Sequence, residues 1–328
     1  MKTAVIGCGA VGCFYGAKLC KTGAEVHFLV RSDWEAIAQN GVRIISEEGN
    51  VLAHPPIALV PDEIGECELV IVALKTTANH RFKELIEPLL GPDTAILTLQ
   101  NGLGSDAALS DLFGADRVMA GLCFVCLHRI EPGVVHHFAF GKVMLGEFSR
   151  PPCERTHEVA RFLRNAGIQV QVTDNLERAR WEKLVWNIPF NGLGVAAAAG
   201  YDAVIGSQAP ETFNTWDTFA TDQLLSDPRW EQLVREVMAE IIAVARELGL
   251  GIAPTFADQQ INLTREMGHY RPSTLVDFEA GKPLELDAMF LKPLVIAQAH
   301  GVVTPRLTTL CNFLLQMNPI ATGAGHEA

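Results

Sequence analysis

Apolar residues fall in short blocks through the first half of the chain and at helical spacing through the second. Thr3–Ile6 is a brief strand-type run that leads straight into Gly7-x-Gly9-x-x-Gly12. Val11–Lys21 then reads as a helix, with Gly23 placed to end it. Glu25–Val30 is a second strand. Arg31 follows it, and Ser32-x-x-Glu35 has the spacing of a capping box for a short helix. Val42–Val60 alternates weakly around His54-Pro55-Pro56, which predicts short strands and turns. Glu68–Leu74 is a continuous apolar run of the kind buried in parallel sheets, closed by Lys75 and followed by a helix over about Thr77–Leu90. Thr94–Leu99 is another strand, ending in Gln100-Asn101-Gly102-Leu103-Gly104. Arg117–Leu127 is β-prone, and Val134–Phe140 and Lys142–Gly146 read as antiparallel additions. Glu154–Ala166 is a helix and Ile168–Val172 a last strand.

Past Thr173 the period changes. Leu176–Ala199, Trp230–Leu248, Ala257–Met267 and Asp287–His300 read as helices, with no convincing strand among them. The expected fold class is therefore α/β: an N-terminal Rossmann-type doubly wound sheet over residues 1–174, then an all-helical C-terminal domain over 175–328. The small, polar tail Thr322–Ala328 is expected to fray.

Composition narrows the function. The 328 residues are 48% hydrophobic and 20% charged, as in ordinary globular proteins. A net charge of -12 argues against a nucleic-acid partner, which needs clustered Lys and Arg. Cys123 and Cys126 form a C-x-x-C pair inside an apolar run. No second pair completes a zinc set, so buried thiols are expected and no metal site. Strand residues begin almost at Met1, which leaves no separable leader, and no apolar run reaches membrane-spanning length. A cytoplasmic protein with no membrane partner is the expectation.

The glycines carry the first chemistry. After a strand and before a helix, Gly7 permits the tight turn, Gly9 admits a pyrophosphate, and Gly12 lets helix and sheet pack closely. Ala10 and Val11 stand where the helix is entered, and its free N-terminal amides would face the phosphates. Arg31 ends the second strand where an NAD site usually has an acid, which suits the 2′-phosphate of NADPH. Asp33 reads as an early helix residue favoured by the dipole. Lys75 and Asn101 also stand at carboxyl ends of strands, where such folds bind ligands.

A second constellation is Lys183, Asn187 and Asn191, spaced i, i+4, i+8 on one face of an otherwise apolar helix. A lysine buried there is costly without a partner, and burial lowers its pKa, which suits a general acid near neutral pH. Backbone satisfaction of Asn191 is a competing reading. Ser273 and Asp277 lie one helical turn apart, and Glu285 opens the next helix. A carboxylate brought to Lys183 would orient it; an ordinary charge at a helix N-terminus is an equal alternative for Glu285.

These residues resemble the ketopantoate reductase family over nearly the whole chain: the N-terminal GxGxxG, Lys75, LQNGLG with Asn101, WEKLVWNIPFN, and PSTLVDFEAGKPLELD. The resemblance implies a Rossmann domain, a helical domain, an active site drawing on both, and reduction of a 2-oxo acid by NADPH. It implies Lys183 as proton donor, with Glu285 bonding to the substrate or the lysine. Asn187, Asn191 and Ser273 would hold the substrate, and Asn101 would border nicotinamide and substrate. Gly7, Gly9, Ala10, Val11, Gly12, Arg31 and Lys75 would bind cofactor. Ketopantoate is the leading substrate. The rivals are another branched or aromatic 2-oxo acid, and a non-catalytic NADPH-binding sensor; a homodimer is among the assemblies open to the chain.

Two departures bear on substrate choice. Tyr270 stands where members often carry Asn, and Tyr201–Asp227 is longer than the usual link. In that insert Phe213, Trp216 and Leu224 could share one face of a short helix. Its aromatics are expected to cap the core, with a lid over the ligand as the alternative.

Overall fold

The computed structural model describes residues 1–318; the tail Thr322–Ala328, expected to fray, lies outside the described residues. The chain divides into two compact units, Met1–Leu176 and Glu177–Ala328. The first contains, in order, β1 (Thr3–Ile6), α1 (Ala10–Cys20), β2 (Val26–Leu29), α2 (Trp34–Asn40), β3 (Val42–Ser46), β4 (Val51–Ala53) and β5 (Ile57–Ala58). It continues with β6 (Cys67–Val72), α3 (Phe82–Ile86), β7 (Leu90–Thr98), α4 (Ser105–Phe113), β8 (Val118–Glu131), β9 (Val134–Glu147), α5 (Glu154–Asn165) and β10 (Val170–Val172).

All ten strands join one mixed sheet of order β4-β3-β9-β8-β7-β6-β1-β2-β5, with β10 on β9. From β8 to β5 every neighbour is parallel. The chain winds from β1 to β2 and β5, then returns on the other side of β1 at β6. Strand order thus reverses between β1 and β6, which opens the crevice where doubly wound sheets bind ligands. β1 alternates faces: Val5 joins the core around α1, while Ala4 and Ile6 join Phe82, Ile86 and Leu109 on the opposite side. Helices therefore cover both faces.

The rest of the sheet curls. β9 runs antiparallel to β8, and its other edge pairs in parallel with β3 and β10. The strands wrap α1, whose Cys13, Phe14, Tyr15, Ala17 and Leu19 are all buried. Its sequence AVGCFYGAKLC is apolar nearly all round, as an enclosed helix must be. Phe14 packs on His137 of β9 with ring centroids 4.6 Å apart.

Three local expectations change. The helix expected over Thr77–Leu90 is only the short α3, flanked by 3-10 turns Thr76–Arg81 and Glu87–Leu89. Pro88 has no N–H to donate there, and the next strand begins at Leu90. Val134–Phe140 and Lys142–Gly146 form one strand, with Gly141 bulged between the paired residues Phe140 and Lys142. The capping box at Ser32 and Glu35 does not form: Asp33 is the N-cap of α2, without a side-chain cap. Ser32 Oγ donates to Asp33 instead. Cys123 and Cys126 are buried on β8.

The second unit is built from α6 (Leu176–Ala196), α7 (Tyr201–Ile205), α8 (Thr221–Ser226), α9 (Pro228–Glu247), α10 (Phe256–Glu266), α11 (Ser273–Glu279), α12 (Lys292–Ala299) and α13 (Pro305–Met317). Among the described residues no strand follows Val172. The helix expected over Asp287–His300 enters through a π turn, Asp287–Leu291, before α12. Pro293 cannot donate in an ordinary helical register, and the wider turn precedes it. The sequence reading missed α13 as an element. Its Pro305 start and buried Leu307, Leu310, Leu314 and Met317 carry the helical period. Glu240 of α9 caps it, accepting from the N–H groups of Arg306 and Leu307 at 2.8 Å each. No helix among the described residues is long and apolar enough to cross a membrane.

Candidate active site

In the first unit the chemistry gathers at the carboxyl edge of the parallel strands. The turn after β1 holds Gly7 at φ +98, pressed against the end of β6: a Cβ there would lie 2.6 Å from the Ala73 carbonyl carbon. A Cβ on Gly12 would lie 2.1 Å from the Gly7 carbonyl oxygen, so neither position accepts a side chain. A Cβ on Gly9 would meet nothing within 4 Å. Gly9 is the N-cap of α1, followed by Ala10 and Val11, and the first turn carries no acidic residue. An open backbone face ahead of unopposed helix amides suits a pyrophosphate, so these residues fit a dinucleotide.

Lys75 and Asn101 lie to one side of this turn, because β6 and then β7 follow β1 in the sheet. Lys75 is exposed just beyond β6, and its carbonyl accepts from Ala78 N–H at 2.9 Å. Asn101 is half-buried in the loop after β7. Gln100 beside it donates to Asn79 at 2.8 Å, and Asn79 donates to Ser105 of α4 at 3.1 Å, so the two loops are bonded together.

Arg31 is exposed past the end of β2. Asp33 is not a simple helix-dipole residue. It is buried, and Arg129 of β8 places Nη2 2.6 Å from both of its carboxylate oxygens. Sequence reasoning missed this pair, since nothing local links residues 96 apart along the chain. Cys8 Sγ donates to the Leu29 carbonyl at 3.3 Å and Cys13 Sγ to the Cys8 carbonyl at 3.2 Å, tying the glycine turn to β2 and α1. Burial pushes the Cys8 thiol well up; Cys13 and Asp33 add to the rise and Arg129 opposes it. Burial also pushes the Cys13 thiol up to about 12. Both remain protonated donors at neutral pH, not nucleophiles.

In the second unit α6 has the expected polar stripe. Trp181, Leu184, Val185, Ile188 and Phe190 are buried, Asn187 and Asn191 are buried, and Lys183 is half-buried rather than sealed. Asn191 is 2% exposed. Its Nδ2 donates to the Asn187 carbonyl at 2.9 Å, and its Oδ1 accepts from Thr274 N–H at 3.1 Å. The backbone reading of Asn191 therefore holds for these two bonds. They fix the first turn of α11, which begins with half-buried Ser273, beside the stripe. Glu285 is half-buried ahead of the π turn, its carbonyl accepting from Met289 N–H at 3.3 Å.

The insert 201–227 grips the same region. Thr221 N–H donates to the Tyr270 carbonyl at 3.0 Å, and its hydroxyl to the Gly268 carbonyl at 3.1 Å. Thr218 bonds to Glu279, which Arg271 also pairs. Phe213 stacks on Phe278 with centroids 5.9 Å apart, and Phe219 packs on Trp230. The expected shared helical face does not exist: Leu224 is buried in α8, and Trp216 is 68% exposed in a turn.

Comparison with known proteins gives a consistent result. A family model described as "Ketopantoate reductase PanE/ApbA" matches residues 3–150, and one described as "Ketopantoate reductase PanE/ApbA C terminal" matches residues 218–318. A 2-dehydropantoate 2-reductase of Nostoc sp. is 34% identical over 94% of this chain and 92% of its own. A crystal structure of 2-dehydropantoate 2-reductase from Geobacter metallireducens superposes with a TM-score of 0.88 at 43% identity, covering 96% of this chain and 99% of that one. D-mandelate dehydrogenase, solved with NADH and anilino(oxo)acetate, shares the fold: TM-score 0.84 at 20% identity, covering 99% of this chain and 100% of that one.

Proposed function

The chain belongs to the ketopantoate reductase family and is an oxidoreductase, and from that premise we propose that it reduces ketopantoate to pantoate with NADPH. A dinucleotide held at the glycine turn would supply the hydride that the carbonyl carbon receives. The oxygen that gains charge as a result needs one proton to become a hydroxyl, and Lys183 supplies it as general acid. Half-burial on an apolar helix keeps the ammonium close to solvent for reprotonation. Glu285 orients the lysine or accepts from the substrate. Asn187 and Ser273 hold the substrate, and Asn101 borders it. Asn191 contributes through the bonds that set Ser273.

The observation that carries this reading is the tie of Asn191 to the first turn of α11, which joins the polar stripe of α6 to Ser273. Binding a dinucleotide alone needs neither that stripe nor an acid. For the cofactor, Arg31 past β2 supports NADPH, and Asp33 is engaged by Arg129. The cysteines, present as thiols, suit a reducing cytoplasm.

Steady-state kinetics across a panel of 2-oxo acids at saturating NADPH test the substrate. The highest kcat/KM is expected for ketopantoate. A higher value for an aromatic 2-oxo acid would overturn the assignment and leave the reaction type standing.

A further inference from the structure

Asp33 is the one residue of the β2–α2 turn whose chemistry opposes the NADPH reading. A carboxylate there is what dinucleotide folds use to accept the ribose hydroxyls of NADH, and its charge repels a 2′-phosphate. Its surroundings, however, leave it little freedom. Its side chain is 6% exposed, and Arg129 approaches both oxygens. Ser32 Oγ donates to Oδ1 at 3.0 Å. The pair stands at the cofactor end of the sheet: Asp33 is two residues past Arg31, and Cys8 of the glycine turn bonds to Leu29 where β2 ends. Asp33 and Arg129 are both felt electrostatically at Cys8.

We propose that Arg129 is a specificity-determining residue. By occupying and neutralising Asp33, it withdraws the carboxylate that would accept NADH and repel NADPH, and leaves Arg31 to read the phosphate. This rests on the NADPH reading above. It explains why an acid is tolerated beside a phosphate site. It also places the determinant on β8, far along the chain from the residues that touch cofactor. Arg129 acts through Asp33 and is a positioning residue.

The test is equilibrium binding of NADPH and NADH to the full chain without substrate, followed by cofactor fluorescence. Arg129→Gln uncovers Asp33 and should lower the NADPH-to-NADH affinity ratio by about tenfold or more, the scale of one charge-assisted contact. Arg129→Lys keeps the charge and should keep most of the ratio. The double variant Asp33→Asn/Arg129→Gln removes the exposed carboxylate with its partner and should restore the ratio to within about threefold of the parent. An unchanged ratio in Arg129→Gln overturns the proposal. So does a double variant as depressed as the single, which would mean that Arg129 meets the phosphate itself or only supports the fold. If Arg129→Gln does not fold, the double variant decides alone: a parental ratio supports the proposal and a depressed one sinks it. A parent protein with no preference for NADPH would refute the cofactor reading instead, before any variant is made.

Discussion

Arg31 and Asn191 show how differently two polar residues of one chain can be read. Arg31 is exposed and stands where a strand ends, so its place could be derived from β2 alone. Replacing it with Ala should weaken NADPH binding by about tenfold to a hundredfold, the loss of roughly 1.5–3 kcal/mol for a charge-assisted bond. NADH binding should hardly change. Titration of both cofactors checks this, and equal losses for the two would mean that Arg31 does not read the phosphate. Asn191 was legible as a member of a polar stripe but not as a tie, because its partner Thr274 is 83 residues away. The Asp33–Arg129 pair was illegible for the same reason. Periodicity reports which face of an element is polar, and says nothing of what a distant segment brings to that face.

At the scale of elements, the strongly periodic segments were readable. β1, β6, α9 and α10 fall where apolar spacing puts them, because burial imposes that spacing. The failures share a cause: short elements whose shape is set by neighbours. The 3-10 turn after α3 contains Pro88, and the π turn precedes Pro293. The insert 201–227 is set by its anchors on α6, where Phe219 N–H donates to the Gly194 carbonyl at 3.0 Å, and on α9 and α11. Those anchors separate its aromatics. Phe213 stacks on Phe278, so Phe213→Ala should destabilise the fold by about 1 kcal/mol or more. Trp216 is exposed, so Trp216→Ala should stay within about 0.5 kcal/mol of the parent. Urea denaturation of both variants measures the contrast. A larger loss for Trp216 would show that it is buried in solution, against the structure.

Over the whole molecule, the proposed roles fall on two units: the glycine turn, Arg31 and Lys75 on the first, and Lys183 of α6 on the second. The division of labour predicts that chemistry and cofactor binding can be separated by a single change. The fold class followed from the switch from strand–helix alternation to helices alone. The curl of the sheet around α1 did not, since β3 and β10 pair with β9 across long stretches of chain. Reduction of ketopantoate by NADPH with Lys183 as proton donor is decided by one paired assay. Pantoate formed and NADPH oxidised are measured together for the parent chain and for Lys183→Ala, with the NADPH dissociation constant of each. The parent should form one pantoate per NADPH oxidised. The variant should show a kcat lower by about 10²–10⁴-fold with cofactor affinity nearly unchanged. No pantoate from the parent, or a variant that keeps most of its kcat, would contradict this assignment.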